Sequence, residues 1–197
     1  MKTFKALSTL ELRYLLQKHT SNIEFYVLAI DEIKHIKSKR FLAIVNNRRK
    51  NESGQHWVAM FKKNNSSTIE FFDSLAMPFT FYGREISDYV TSNNYKLKRN
   101  TIRFQSFTSL LCGYMCVYFL TIRLRSSTFE KALQKMNFNS VKKTEEVIKD
   151  FFKKTKFPKF TNCKTQCMKN CKIKSSPYQS VCIQKNKKCI NLSCRAR

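Results

Sequence analysis

The sequence predicts an α+β domain in which a central helix packs on a mostly antiparallel sheet. Three observations carry this. Short apolar runs bounded by polar turns, such as Phe41 to Val45 and Trp57 to Phe61, have the length and composition of strands. A longer apolar run, Leu110 to Ile122, reads as a core helix and stops at Arg123 and Arg125, short of membrane-spanning length. With 42% hydrophobic residues, 17 Phe and 8 Tyr against 3 Gly and 3 Pro, the 197-residue chain can bury one sizeable core.

In chain order, Ser8-Thr9-Leu10-Glu11 reads as a capping box, and Leu12, Leu15 and Leu16 follow at helical spacing, so a first amphipathic helix spans about residues 9–18. Glu24 to Ile30 and Arg40 to Asn46 read as strands. The second leads through the polar loop Asn47 to Ser53 into a strand entered by His56. Asn64-Asn65-Ser66-Ser67 then reverses the chain into Thr68 to Asp73, which would bring Asp73 near the histidine-bearing strand. The loop Ser74 to Gly83 carries Pro78 and aromatic residues, suited either to a substrate groove or to packing on the core. Arg84 to Thr91 reads as a short helix and Thr101 to Phe104 as a strand delivering Gln105. The central helix follows to about Arg125. Phe129, Ala132, Leu133 and Met136 mark a further helix by their spacing, and Val147, Ile148, Phe151 and Phe152 a last one.

The chemistry centres on Gln105 to Cys116. Cys112-Gly113 sits where Ser/Thr-rich sequence gives way to the central helix, so the thiol lies at a helix N-terminus, whose dipole favours a thiolate. Thr108 or Ser109 is placed to cap that helix, and Gly113 to allow close approach. A free cysteine is more often a small buried hydrophobe, and Cys116, one turn on, reads as that. A nucleophilic thiol needs a base, and the base an orienter. Of the histidines His19, His35 and His56, only His56 starts a strong strand, and Asp73 closes the strand expected to pair with it. Glu70 is the rival acid, set three residues earlier and so facing the other side of a regular strand. Gln105 can donate to an oxyanion together with the Cys112 N–H. Trp57 covers the histidine or packs in the core.

These residues form a pattern: Gly54-Gln55-His56-Trp57, a 17-residue step to Asp73, then Gln105 with Cys112-Gly113 seven residues on and Cys116 after it. The pattern resembles the adenovirus-type (adenain-like) cysteine proteases, in the clan shared with the SUMO-specific proteases. The resemblance runs from the Leu-Ser-Thr-Leu-Glu-Leu segment to about Phe160. It implies a papain-related cysteine protease fold with Cys112 as nucleophile, His56 as base, Asp73 as orienter and Gln105 as oxyanion donor, with no metal required for catalysis. Adenoviral proteases usually carry Glu at the acid position, whereas Asp is the SUMO-protease choice. The resemblance further implies a viral maturation endopeptidase cleaving capsid or core precursors beside glycine, from a DNA virus or virus-like mobile element, acting in the host nucleus and virion. Two alternatives stand beside it: a deconjugase of ubiquitin-like modifiers, and a non-enzymatic DNA-binding packaging protein. Adenoviral proteases are also stimulated by DNA and by a peptide joined through a cysteine upstream of the nucleophile. No cysteine precedes Cys112 here, so that covalent route does not carry over.

A net charge of +25 calls for polyanionic partners, which makes DNA an expected activator. The charge is densest at the end, where residues 153–197 hold thirteen Lys/Arg and no Asp/Glu. The reading divides the chain into a protease domain, 1–160, and a basic Cys/Lys-rich tail, 161–197. The tail spacing of Cys163, Cys167, Cys171, Cys182, Cys189 and Cys194 fits no familiar zinc module, so zinc or disulfides are weaker expectations than a flexible basic tail. Secretory signal and membrane span are not expected, and the protein is expected to be a soluble, intracellular monomer.

Overall fold

A computed structural model describes residues 4–20 and 23–158, together with the backbone of 160–161, 182–185 and 188–191. The described residues fall into two compact units, divided between Lys154 and Thr155.

The first unit is α+β. Helix α1 (Thr9–His19) opens it, with the expected capping box: Glu11 N donates to Ser8 Oγ at 3.3 Å, and Ser8 N to Glu11 Oε2 at 2.9 Å. Strands β1 (Phe25–Ala29), β2 (Phe41–Asn46), β3 (Trp57–Lys62), β4 (Thr68–Phe72) and β5 (Lys96–Arg99) follow, with α2 (Glu85–Ser92) between the last two. They form one sheet in the order β1-β2-β3-β4-β5. Helices α3 (Cys112–Leu124), α4 (Phe129–Met136) and α5 (Val141–Phe152) complete the unit.

The expected antiparallel pairing holds at the centre, β2 with β3 and β3 with β4, but both outer pairs, β1 with β2 and β4 with β5, are parallel. The sheet is therefore mixed rather than mostly antiparallel. Each parallel pair is joined by a crossover, β4 to β5 through α2, which a hairpin turn cannot replace. The expected strand at Thr101 to Phe104 is also corrected: the edge strand is β5, and residues 101–111 form an anchored loop.

Both faces of the sheet are covered. Ala43, Val45, Val58, Met60, Ile69 and Phe71 pack with Ile86, Tyr89 and Val90 of α2. On the strand positions between them, Phe72 stacks on Phe119 of α3, ring centroids 4.4 Å apart. This alternation is the two-residue period of a strand buried on both sides. Helix α3 runs along β3 in the same direction: Cys116 Sγ donates to Trp57 O at 3.2 Å near the start of β3, and Arg123 meets Glu70, which pairs in register with Phe61 near its end. The N-terminus of α3 is thereby delivered to the end of the sheet where β3 begins and β4 ends.

In the second unit, strands β6 (Phe160–Thr161), β7 (Cys182–Lys185) and β8 (Lys188–Asn191) form an antiparallel sheet. The zinc and disulfide expectations fall on cysteine side chains outside the described residues. Among the described residues no helix is long and apolar enough to cross a membrane, and no cluster of three His, Cys, Asp or Glu residues could hold a metal ion.

Candidate active site

His56 precedes β3 and Asp73 follows β4. Their register pairs Ala59 with Phe72, so its continuation sets Asp73 opposite Val58, two residues from His56. That is the diagonal relation across an antiparallel pair, within reach of a long polar side chain. The imidazole bridges it, with His56 Nε2 2.6 Å from Asp73 Oδ1 and both side chains buried. His56 also hydrogen-bonds the Cys112 thiol.

Cys112 is the first residue of α3, with its side chain 7% exposed. The expected cap is corrected: the N-cap is Leu111, with no side-chain hydrogen bond. Helix α3 starts three residues past Ser109, and Ser109 O instead accepts from Gln105 Nε2 at 2.7 Å. An uncapped helix start leaves its first-turn N–H groups to whatever anion lies there. Gly113 provides the close approach expected of it: an added Cβ would lie 3.2 Å from Leu12 Cδ2 and 3.3 Å from Leu7 Cβ. Leu7 O in turn accepts from Trp57 Nε1 at 3.1 Å, so the segment before α1 braces the residue beside His56.

Asp73 is held on every side. Leu75 N donates to Oδ1 at 2.9 Å, Met77 N to Oδ2 at 2.6 Å, and the buried Tyr82 hydroxyl also donates to Oδ2. Asn100 continues β5 with its side chain: Oδ1 accepts from Asp73 N at 2.9 Å and Nδ2 donates to Asp73 O at 2.7 Å. Burial alone would raise the Asp73 carboxyl, but the hydrogen bond and charge of His56, with those from Tyr82 and Leu75, bring it below its ordinary value. For His56, burial acts to remove the proton, yet the bonds and charges of Asp73 and Cys112 outweigh it and lift the imidazole to about 9. The phenol of Tyr82 is pushed up by burial and by Asp73.

Gln105 is buried and fixed. Ser74 Oγ donates to its Oε1 at 2.7 Å, orienting the amide, and Gln105 N donates to Ser74 O at 3.0 Å. Glu145 of α5 accepts from both N and Oγ of Ser106, each at 2.9 Å, anchoring the loop before the thiol. The rival carboxylate lies elsewhere: Glu70 pairs with Arg123 Nε and Nη2 at 2.5 and 2.8 Å. Cys116 is fully buried, and burial, with the nearby Cys112 and Asp73, raises its thiol well above the ordinary range. His19 packs against Phe151 and Phe152, away from this site.

The structure thus brings His56, Asp73 and Cys112 into one hydrogen-bonded chain and fixes Gln105 in the loop leading to the thiol. Tyr82, Ser74, Asn100 and Glu145 were not singled out by sequence. Tyr82 lies in the aromatic loop read as a groove wall or core packing, and its ring turns inward against Phe71.

No protein-family model matches the chain, and no curated protein sequence matches it. Among solved structures it is similar to the ASFV pS273R protease, with 17% identity and a TM-score of 0.46 over 65% of this chain and 61% of that one. It is also similar to AvrA solved with IP6 and CoA, with 17% identity and a TM-score of 0.38 over 71% of this chain and 53% of that one. The chain spans less than two thirds of the length of either.

Proposed function

We propose that the protein is a cysteine endopeptidase acting by Cys112-His56-Asp73 acyl transfer. The observation that carries this is the buried imidazole bonded on one side to Asp73 and on the other to the thiol at the first residue of α3. Cys112 Sγ, its proton passed to His56, attacks the scissile carbonyl and forms the C–S bond. The carbonyl oxygen takes the negative charge beside the Cys112 N–H and the second N–H of the Gln105 amide, whose first is committed to Ser109. The C–N bond then breaks as the His56 imidazolium gives its proton to the leaving amine. His56, now neutral, takes a proton from water, the resulting hydroxide cleaves the thioester, and His56 returns that proton to the departing sulfur as the acid product leaves. Asp73 holds the imidazole orientation throughout.

In its finer form the reading is a maturation protease that cuts capsid or core precursors beside glycine and is stimulated by DNA. The motif resemblance supports the first part and the +25 charge the second. A glycine-glycine peptide probe with a thiol-reactive end group should label wild type, but neither Cys112→Ala nor His56→Ala, and faster with DNA at low salt. Well-folded wild type that resists labelling in both conditions would overturn the protease reading. Labelling indifferent to DNA would remove the activator alone.

A further inference from the structure

The loop joining β5 to α3 has an unusual division of labour. Its inward residues are anchored: Phe104 N and Gln105 N both donate to Ser74 O, at 2.8 and 3.0 Å, Ser106 is held by Glu145, and Leu111 is buried. Its outward residues are large and apolar. Ile102 is 55% exposed, Phe107 67% and Leu110 55%. Single exposed hydrophobes need no explanation, but three on one fixed loop that ends at the thiol mark a contact surface. The Arg103 guanidinium lies 4.6 Å from the centre of the Phe107 ring, so the apolar surface carries a cation.

We propose that residues 102–110 form a docking ledge for the polypeptide substrate, recognising a large apolar side chain next to an acidic one near the bond to be cut. This rests on the endopeptidase reading. Leu110 is exposed two residues before Cys112, which puts the ledge next to the thiol along the chain. An apolar side chain there buries itself against Leu110 and Phe107, and a carboxylate meets Arg103 on a protein of net charge +25. Anchoring the loop beforehand lowers the ordering cost of binding.

The test uses the full-length Cys112→Ala chain, so that it does not depend on turnover. Fluorescent Gly/Ser decapeptides carry a Leu-Glu pair at successive positions, each compared by anisotropy with its Ala-Lys counterpart. The best Leu-Glu peptide should bind about tenfold tighter than its counterpart. Adding Phe107→Ala and Leu110→Ala should erase the Leu preference, and adding Arg103→Ala the Glu preference. Phe151→Ala, which removes an exposed aromatic on α5, should change neither. Equal binding of the paired peptides, or preferences that survive the ledge substitutions, would overturn the proposal. Ledge-dependent preference in a protein whose wild type cleaves none of these peptides would uphold docking while removing the protease reading.

Discussion

Burial of an imidazole favours its neutral form, yet His56 is lifted from 6.5 to about 9 because Asp73 and Cys112 both bond the ring and favour its charged form. Because the folded value lies above the ordinary one, this pairing stabilises the fold fully below about pH 6.5 and loses that contribution as pH rises through about 9. Guanidinium midpoints measured from pH 6 to 10 should therefore fall more for wild type than for His56→Gln, and equal slopes would sink the assignment. On the endopeptidase reading the same proton is the one given to the leaving amine, so kcat/KM should decline above about pH 9. Asp73→Asn removes the larger of the two supports for that proton, so its alkaline limb should move to lower pH and its turnover should collapse. Glu70→Gln, which disturbs the Arg123 pair, should cost stability and leave the pH profile in place. If only the Glu70 variant lost activity, the acid would be misassigned. Tyr82→Phe takes one donor from a carboxylate that keeps three others, so a loss of about 1.5–3 kcal/mol of stability is expected. His56, Asp73 and Cys112 were legible because a thiol, a base and an acid announce themselves by residue type and spacing. Tyr82, Ser74 and Asn100 were not, because a tyrosine, a serine or an asparagine does many things, and only the fold shows which backbone or carboxylate each one meets.

Positioning at the element scale depends on two tight places. In the turn from Asp73 to Met77, Ala76 adopts φ of 51°, the left-handed region that a Cβ disfavours, while Leu75 N and Met77 N point at the carboxylate. Ala76→Gly should stabilise the protein by up to roughly 1 kcal/mol, and Ala76→Val should destabilise it and slow turnover, as thermal melts and peptide assays would show. At the start of α3, Gly113→Ala would press a methyl against Leu7 and Leu12 at 3.2–3.4 Å, with an expected cost of about 1–3 kcal/mol and a shift of the thiol-bearing turn. An unchanged melting temperature would mean that α1 gives way freely. The elements themselves were read well where their signals are local: the capping box of α1, the strand lengths and the apolar spacing in α4 and α5. Sequence reading failed where partners are distant. The outer parallel pairs depend on crossovers whose order the chain does not spell out. Arg103 lacks a place in the ladder because the edge is already supplied by Lys96 to Arg99, a polar strand that periodicity does not flag.

Charge acts on the molecule as a whole. At the candidate site the His56 imidazolium is matched by the Asp73 carboxylate, so the excess of 38 Lys/Arg over 13 Asp/Glu lies elsewhere. Edge strand β5 illustrates this: Lys96, Lys98 and Arg99 are exposed, and such charges also discourage another strand from adding there. A diffuse basic surface attracts phosphate backbones without reading their sequence, and its attraction is lost as counterions compete. If DNA activates by gathering enzyme and DNA-bound substrate on one polyanion, the stimulation should be independent of DNA sequence and pass through an optimum in DNA length and amount. It should fade several-fold or more between about 50 and about 200 mM salt. Cleavage of a short neutral peptide in the absence of DNA should meanwhile change little over that range, because the buried His56-Asp73 pair is poorly screened. Turnover of a DNA-bound precursor and of the free peptide, measured side by side across the salt series, separates the two. Parallel loss of both would place the salt effect in the active site, and no loss of either would leave the basic surface without a part in catalysis.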